Sequence, residues 1–158
     1  MKLKRIKKGN ALVVVTIVLF AISIIAGSLS MYFAVGNRLT AKNNRYFNNR
    51  IALSNEVNSN YKALLSKESV TLDDSTSLNL YTALNSFDEE GDSVTFVVNG
   101  YTNKIVCDSY TNSSNKEMTY SVSFVSNERE YIYSTNLTLS GGKYSLGTKE
   151  VYQDNAIS

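Results

Sequence analysis

Residues Ala11–Val35 read ALVVVTIVLFAISIIAGSLSMYFAV, 25 positions without a charged side chain. As an α-helix this stretch is roughly 37 Å long, against a bilayer hydrocarbon core of about 30 Å. A lone segment in lipid must satisfy its own backbone hydrogen bonds, which makes helix its expected conformation. Upstream, Lys2, Lys4, Arg5, Lys7 and Lys8 place five positive charges in nine residues. Such a flank holds the N-terminus in the cytoplasm and sends the C-terminus across. A secretory signal has an apolar core of about 7–15 residues followed by a small-residue cleavage site. Here the apolar run is too long, and the sharp boundary lies before it, at Gly9-Asn10. These features predict a single-pass membrane protein with a short basic leader.

Small residues recur within the apolar run. Ser23 and Gly27 are four apart, and so are Ala26, Ser30 and Ala34. This spacing lets helix backbones approach closely in lipid, although small residues are common in membrane helices whatever their role. The helical pattern then continues through Phe47, Ile51, Val57, Tyr61 and Leu64, with polar residues between them. One helix is therefore predicted from about Ala11 to Ser66, its second half amphipathic and docked on a domain. Gly36 and Asn37 form its expected weak point, because Gly costs about 1 kcal/mol relative to Ala in a helix. Arg38, Lys42, Arg45 and Arg50 follow. They suit lipid headgroups, acidic neighbours in an assembly or, by default, a solvated face.

The remaining 120 or so residues suffice for one domain with its own core. Setting the five leader charges aside from 16 basic residues leaves 11, against 14 acidic ones, so the body carries −3 despite a net charge of +2. A mildly acidic body offers no general nucleic-acid patch. Histidine is absent, which removes the commonest metal ligand and general base. Cys107 is the one cysteine and cannot form an intrachain disulfide. It lies in an apolar run, as an inert core thiol would. Gly141-Gly142-Lys143 is too short for a phosphate loop and reads as a turn. With no nucleophile–base pair and no metal cluster in the pattern, the sequence predicts no enzyme, no cofactor and no metal. Asn112-Ser-Ser and Asn136-Leu-Thr match the glycosylation sequon, which matters only in a host with that machinery.

Beyond Ser66 the helical pattern breaks. Asp73, Asp74 or Ser75 is expected to cap a short second helix presenting Leu78, Tyr81, Leu84 and Phe87. Asp88-Glu89-Glu90-Gly91-Asp92 reads as an acidic loop without the spacing of a calcium-binding loop. From Ser93 the pattern becomes period two. Strands are expected at 93–98, 103–108, 117–126, 130–140 and 143–152. Asn99-Gly100 is a type I′ hairpin turn, a polar loop covers 111–116, and a bulge or face change falls near Thr135. Tyr131 and Tyr133 are either cross-strand packing residues, the default, or an adhesive surface. The predicted fold class is α+β: a long N-terminal helix packed on an antiparallel meander of four or five strands.

A basic leader, a glycine at its end, an uninterrupted apolar helix and a following antiparallel sheet together resemble a type IV prepilin. The residues that carry the likeness are Lys7-Lys8-Gly9 and Asn10-Ala11-Leu12-Val13-Val14-Val15. The resemblance implies that prepilin peptidase, a membrane enzyme, cuts between Gly9 and Asn10 and that Asn10 becomes the mature, methylated terminus. It also implies three regions: a leader (1–9), a transmembrane and assembly helix (10–36) and an extracytoplasmic globular domain (37–158). Its expected partners are the peptidase, membrane lipid and other pilin subunits, the last met through Ser23, Ala26, Gly27, Ser30 and Ala34. Its expected destination is the cell-surface pilus, where sheet and loops can adhere.

Major pilins resemble one another in having glutamate at the fifth mature position, where this sequence has Val14. An unpaired buried charge costs several kcal/mol, and that glutamate neutralises the α-amino group of the neighbouring subunit. A subunit with Val14 is best tolerated at a fibre tip. In this it is similar to PilX-type minor pilins and to tip pseudopilins of type II secretion. The helix also lacks the family's usual proline, leaving Gly27 or Gly36 as expected kink positions. The alternatives are an uncleaved signal anchor carrying a binding domain, or a pseudopilin of a secretion or DNA-uptake system.

Overall fold

The computed structural model describes residues 3–157, with side chains inside the first helix described from Ala11 onward. That helix, α1, spans Leu3–Ser66. It is followed by β1 (Ser69–Thr71), β2 (Ser77–Asn79), α2 (Leu80–Asn85), β3 (Ser93–Val98), β4 (Tyr101–Asn112), β5 (Asn115–Ser126), β6 (Arg129–Ser140) and β7 (Lys143–Ala156). The expected α+β class is observed: a long helix packed against a five-stranded antiparallel sheet in the order β3-β4-β5-β6-β7. The chain forms two compact units, Met1–Tyr46 and Phe47–Ser158.

In the second unit, the last turns of α1 present Leu53, Val57, Asn60 and Leu64, each at most 3 % exposed. Their spacing of 4, 3 and 4 keeps them on one stripe. The expected face differs in part. Val57 and Leu64 are buried, but Phe47 and Ile51 are exposed. Ile51 lies about 160° round the helix from Leu53, so the stripe that meets the sheet cannot include it. The helix ends at Ser66, where the sequence pattern places its end. Lys67 adopts φ 59. Glu68 N–H then donates to Ala63 O at 3.0 Å and Lys67 N–H to Leu64 O at 3.3 Å, a Schellman closure made without glycine.

The segment after it corrects the expectation. Asp73, Asp74 and Ser75 do not cap a helix; they turn a small β1–β2 hairpin. Leu72 N–H donates to Thr76 O, and Asp74 Oδ1 accepts from Thr76 N–H at 2.9 Å and from its hydroxyl at 2.6 Å. The cap of α2 is Asn79, whose Oδ1 accepts from Thr82 N–H at 3.0 Å. This leaves only six helical residues, which bury Leu80 and Leu84. Asp73 is employed elsewhere: its two carboxylate oxygens accept from Asn99 N–H at 2.7 Å and Gly100 N–H at 2.8 Å. The hairpin between β3 and β4 is thereby fastened to the β1–β2 turn.

The Asn99-Gly100 turn forms as expected, with φ of 54 and 75. The strands are longer than the alternating runs suggest. β4 extends four residues past Asp108 across two register shifts, at Cys107/Ser109 and Tyr110/Asn112, which bend it without ending its pairing. A further shift lies between Thr135 and Leu137 in the β6–β7 pairing, at the position of the expected bulge. There Gly147 passes so close to Asn136 that an added Cβ would lie 3.0 Å from Asn136 Cβ.

Candidate assembly helix and the domain that follows it

In the first unit every large apolar side chain from Leu12 to Val35 is at least 50 % exposed. Leucine, isoleucine, valine and phenylalanine encircle the helix, so no face is reserved for water. A helix apolar all round is built for a protein interior or for lipid, and within the described residues nothing covers it. One helix among the described residues is long and apolar enough to cross a membrane, as a single span or a signal sequence would. Three of its five hydroxyls are satisfied locally. Thr16, Ser23 and Ser28 donate to the carbonyl oxygens of Leu12, Leu19 and Ile24 at 2.9, 2.9 and 2.8 Å. Such i−4 bonds hide polar groups that hydrocarbon cannot solvate.

At 3.6 residues per turn, Ser23, Ala26, Gly27, Ser30 and Ala34 fall within an arc of about 100°. Val14 lies roughly 180° from Ser23, on the other side. A methyl added at Gly27 or Gly36 would meet no atom within 4 Å. Helical hydrogen bonding runs through both glycines without a break. Gly9 and Asn10, the expected processing pair, lie outside the residues whose side chains are described.

The second unit uses its polar groups for construction. Lys116 is 2 % exposed. Its ammonium donates to Leu84 O at 3.0 Å, Asn85 O at 3.4 Å and Phe87 O. A cation there closes the carbonyl end of α2 and its following turn. A second cluster joins helix to sheet: Asn60 Nδ2 lies 3.0 Å from Glu56 Oε1, 3.2 Å from Asn103 Oδ1 and 3.0 Å from Tyr120 Oη. The Tyr120 hydroxyl donates to Asn103 Oδ1 at 2.8 Å. Burial pushes the Tyr120 phenol well above its ordinary pKa. Neither cluster is visible as a pairing in the sequence. The signal available for Lys116 is its register: it shares parity with Met118, Tyr120 and Val122, the inward face of β5.

Other singled-out residues fall into structural places. Cys107 is fully buried and desolvation raises its thiol pKa. Tyr131 and Tyr133 face the core, which supports packing over an adhesive surface. Gly141 and Gly142 turn β6 into β7 with φ of 56 and 78. In the acidic loop, Asp92 accepts from the backbone N–H of Asp88 at 2.8 Å and of Glu89 at 3.2 Å, and these bonds lower its pKa. Asn112 closes the β4–β5 turn by accepting from Ser114 N–H at 2.9 Å. Among the described residues, no group of three or more acidic or cysteine side chains is arranged to hold a metal.

No protein-family model, curated protein or solved structure matches this chain. The architecture is pilin-like: an apolar N-terminal helix whose later turns carry an antiparallel sheet.

Proposed function

We propose that the chain is a minor pilin-like structural subunit that inserts in the membrane, is cut by prepilin peptidase after Gly9 and then joins, primes or caps a type IV pilus. The observation that carries this reading is one helix with two different surfaces. Ala11–Val35 is apolar on every side, and the turns from Leu53 to Leu64 present a single buried stripe to the sheet. A simple anchor needs only the first surface. A subunit that leaves the membrane with its domain attached needs both on one continuous element.

Work in this role is done by packing. In lipid, and then among other subunits, the helix gains van der Waals contact where Ser23, Ala26, Gly27, Ser30 and Ala34 permit close approach. Val14 provides no carboxylate for a neighbour's α-amino group, which suits a position with nothing ahead of it. The role is structural rather than catalytic, and the buried polar clusters of the second unit hold the domain together.

Replacing Gly9 by leucine tests the reading. Uncut precursor is expected to accumulate in the membrane and the protein to vanish from the fraction released by shearing. Unchanged processing and unchanged surface fractions would identify an ordinary anchor.

A further inference from the structure

We propose that Arg38, Lys42 and Arg45 form a docking stripe for anionic lipid headgroups at the C-terminal boundary of the membrane segment. This deepens the proposed function, since it rests on Ala11–Val35 spanning the bilayer. The three cations sit at i, i+4 and i+7 of α1, within about 60° of one another around the helix. All three are exposed and none is engaged in an ion pair among the described residues. No aspartate or glutamate occurs in the chain before Glu56, so nothing along this part of the helix can neutralise them.

Position selects the occupant. Arg38 follows the last residue of the apolar stretch by about 4.5 Å of helix rise, Lys42 by about 10.5 Å and Arg45 by about 15 Å. The headgroup zone adds roughly 5–8 Å on each side of the hydrocarbon core. Arg38 thus stands in it. Lys42 and Arg45 reach back towards it with their long stems, as such side chains do at helix ends. Phosphate oxygens are the acceptors present there, and guanidinium matches them with two donors at once. In sequence, the leader's cations lie on the other side of the apolar stretch.

The other candidate is the body of a second copy. Residues 47–158 hold 8 basic and 14 acidic side chains, a charge of −6. Yet such a partner has to be brought to the stripe, whereas a spanning helix meets headgroups from the start.

The test uses the full chain in nanodiscs with a fluorophore on Val35→Cys; the native thiol at Cys107 is buried. Quenching by brominated phosphatidylglycerol is compared with quenching by brominated phosphatidylcholine at equal mole fraction. The expected result is preferential quenching by the anionic lipid, on the order of fivefold per cation at low salt and falling as salt rises. The preference is lost in R38Q/K42Q/R45Q and retained when the five leader cations are replaced by glutamine. Equal quenching by both lipids, or a preference that survives the triple substitution, overturns the proposal while leaving the span intact. Loss of a salt-sensitive self-association in the triple variant, without lipid preference, assigns the stripe to a second copy instead. Absence of quenching by either lipid would overturn the span itself.

Discussion

Two parts of α1 treat apolar side chains in opposite ways. From Leu12 to Val35 every large one is at least half exposed, whereas Leu53, Val57 and Leu64 are at most 2 % exposed. The difference follows from how many apolar residues each part has and how they are spread around the helix. The later turns set a single apolar stripe against the exposed Asn55, Asn58 and Ser59, so one sheet face is enough to cover it. The earlier turns are apolar on all sides, so no single sheet can cover them. Burial of a leucine or valine side chain is worth about 1.5–3 kcal/mol; within the described residues the first segment realises little of that gain.

The largest effect separating the two parts is a paired truncation. Leu53→Ala is expected to destabilise the second unit by about 2–5 kcal/mol, because the site is enclosed by helix and sheet. Leu19→Ala should shift the same transition by less than about 0.5 kcal/mol. Denaturant titration in detergent, followed by tyrosine near-UV circular dichroism, measures both. Similar losses would mean that the apolar segment contributes to the folded unit.

Lys116→Met comes next. It keeps the stem and removes the ammonium that serves three carbonyl oxygens, for an expected loss of about 2–4 kcal/mol in the same titration. Tyr120→Phe should cost about 1–2 kcal/mol, since Asn103 keeps Asn60 as a donor while losing the hydroxyl. The buried phenols also make the second unit sensitive to alkali. Burial raises Tyr144 to about 12 and raises Tyr133 and Tyr120 as well, from an ordinary value of 10.0. Their contribution is full below that ordinary value and is lost as pH rises through the folded pKa, so alkaline titration should unfold the second unit. The helicity of Ala11–Val35, whose one tyrosine, Tyr32, is exposed, should persist.

The smallest effect concerns the surface bridge Arg50–Glu150 at 2.8 Å. The Arg50 hydrogen bond lowers the Glu150 pKa from 4.5, so its contribution is present above that value and lost as pH falls through the folded pKa. Both side chains are well exposed, and Glu150→Gln should cost only about 0.2–1 kcal/mol.

The fold is legible in the sequence where one period rules. The meander, the Asn99-Gly100 turn and the end of α1 at Ser66 follow from alternation, turn chemistry and the break in helical spacing. The region between Lys67 and Asn79 is not legible, because three-residue strands carry too little period to register. Asp73 and Asp74 satisfy turns in several ways, and only tertiary contact with Asn99 and Gly100 chooses among them. The outward position of Phe47 and Ile51 escapes spacing for a similar reason: a helix displays several apolar lines, and the sheet decides which one it covers. In the candidate assembly helix, spacing alone places the small residues on one arc. What meets that arc is a property of partners, on which one chain's sequence is silent.

The most direct test of the account is the N-terminus of the protein recovered from cells, read by intact mass and terminal sequencing in membrane and sheared fractions. The sheared species is expected to begin at Asn10, nine residues shorter than the precursor and carrying a methyl group. A protein that begins at Met1 in every fraction would contradict it.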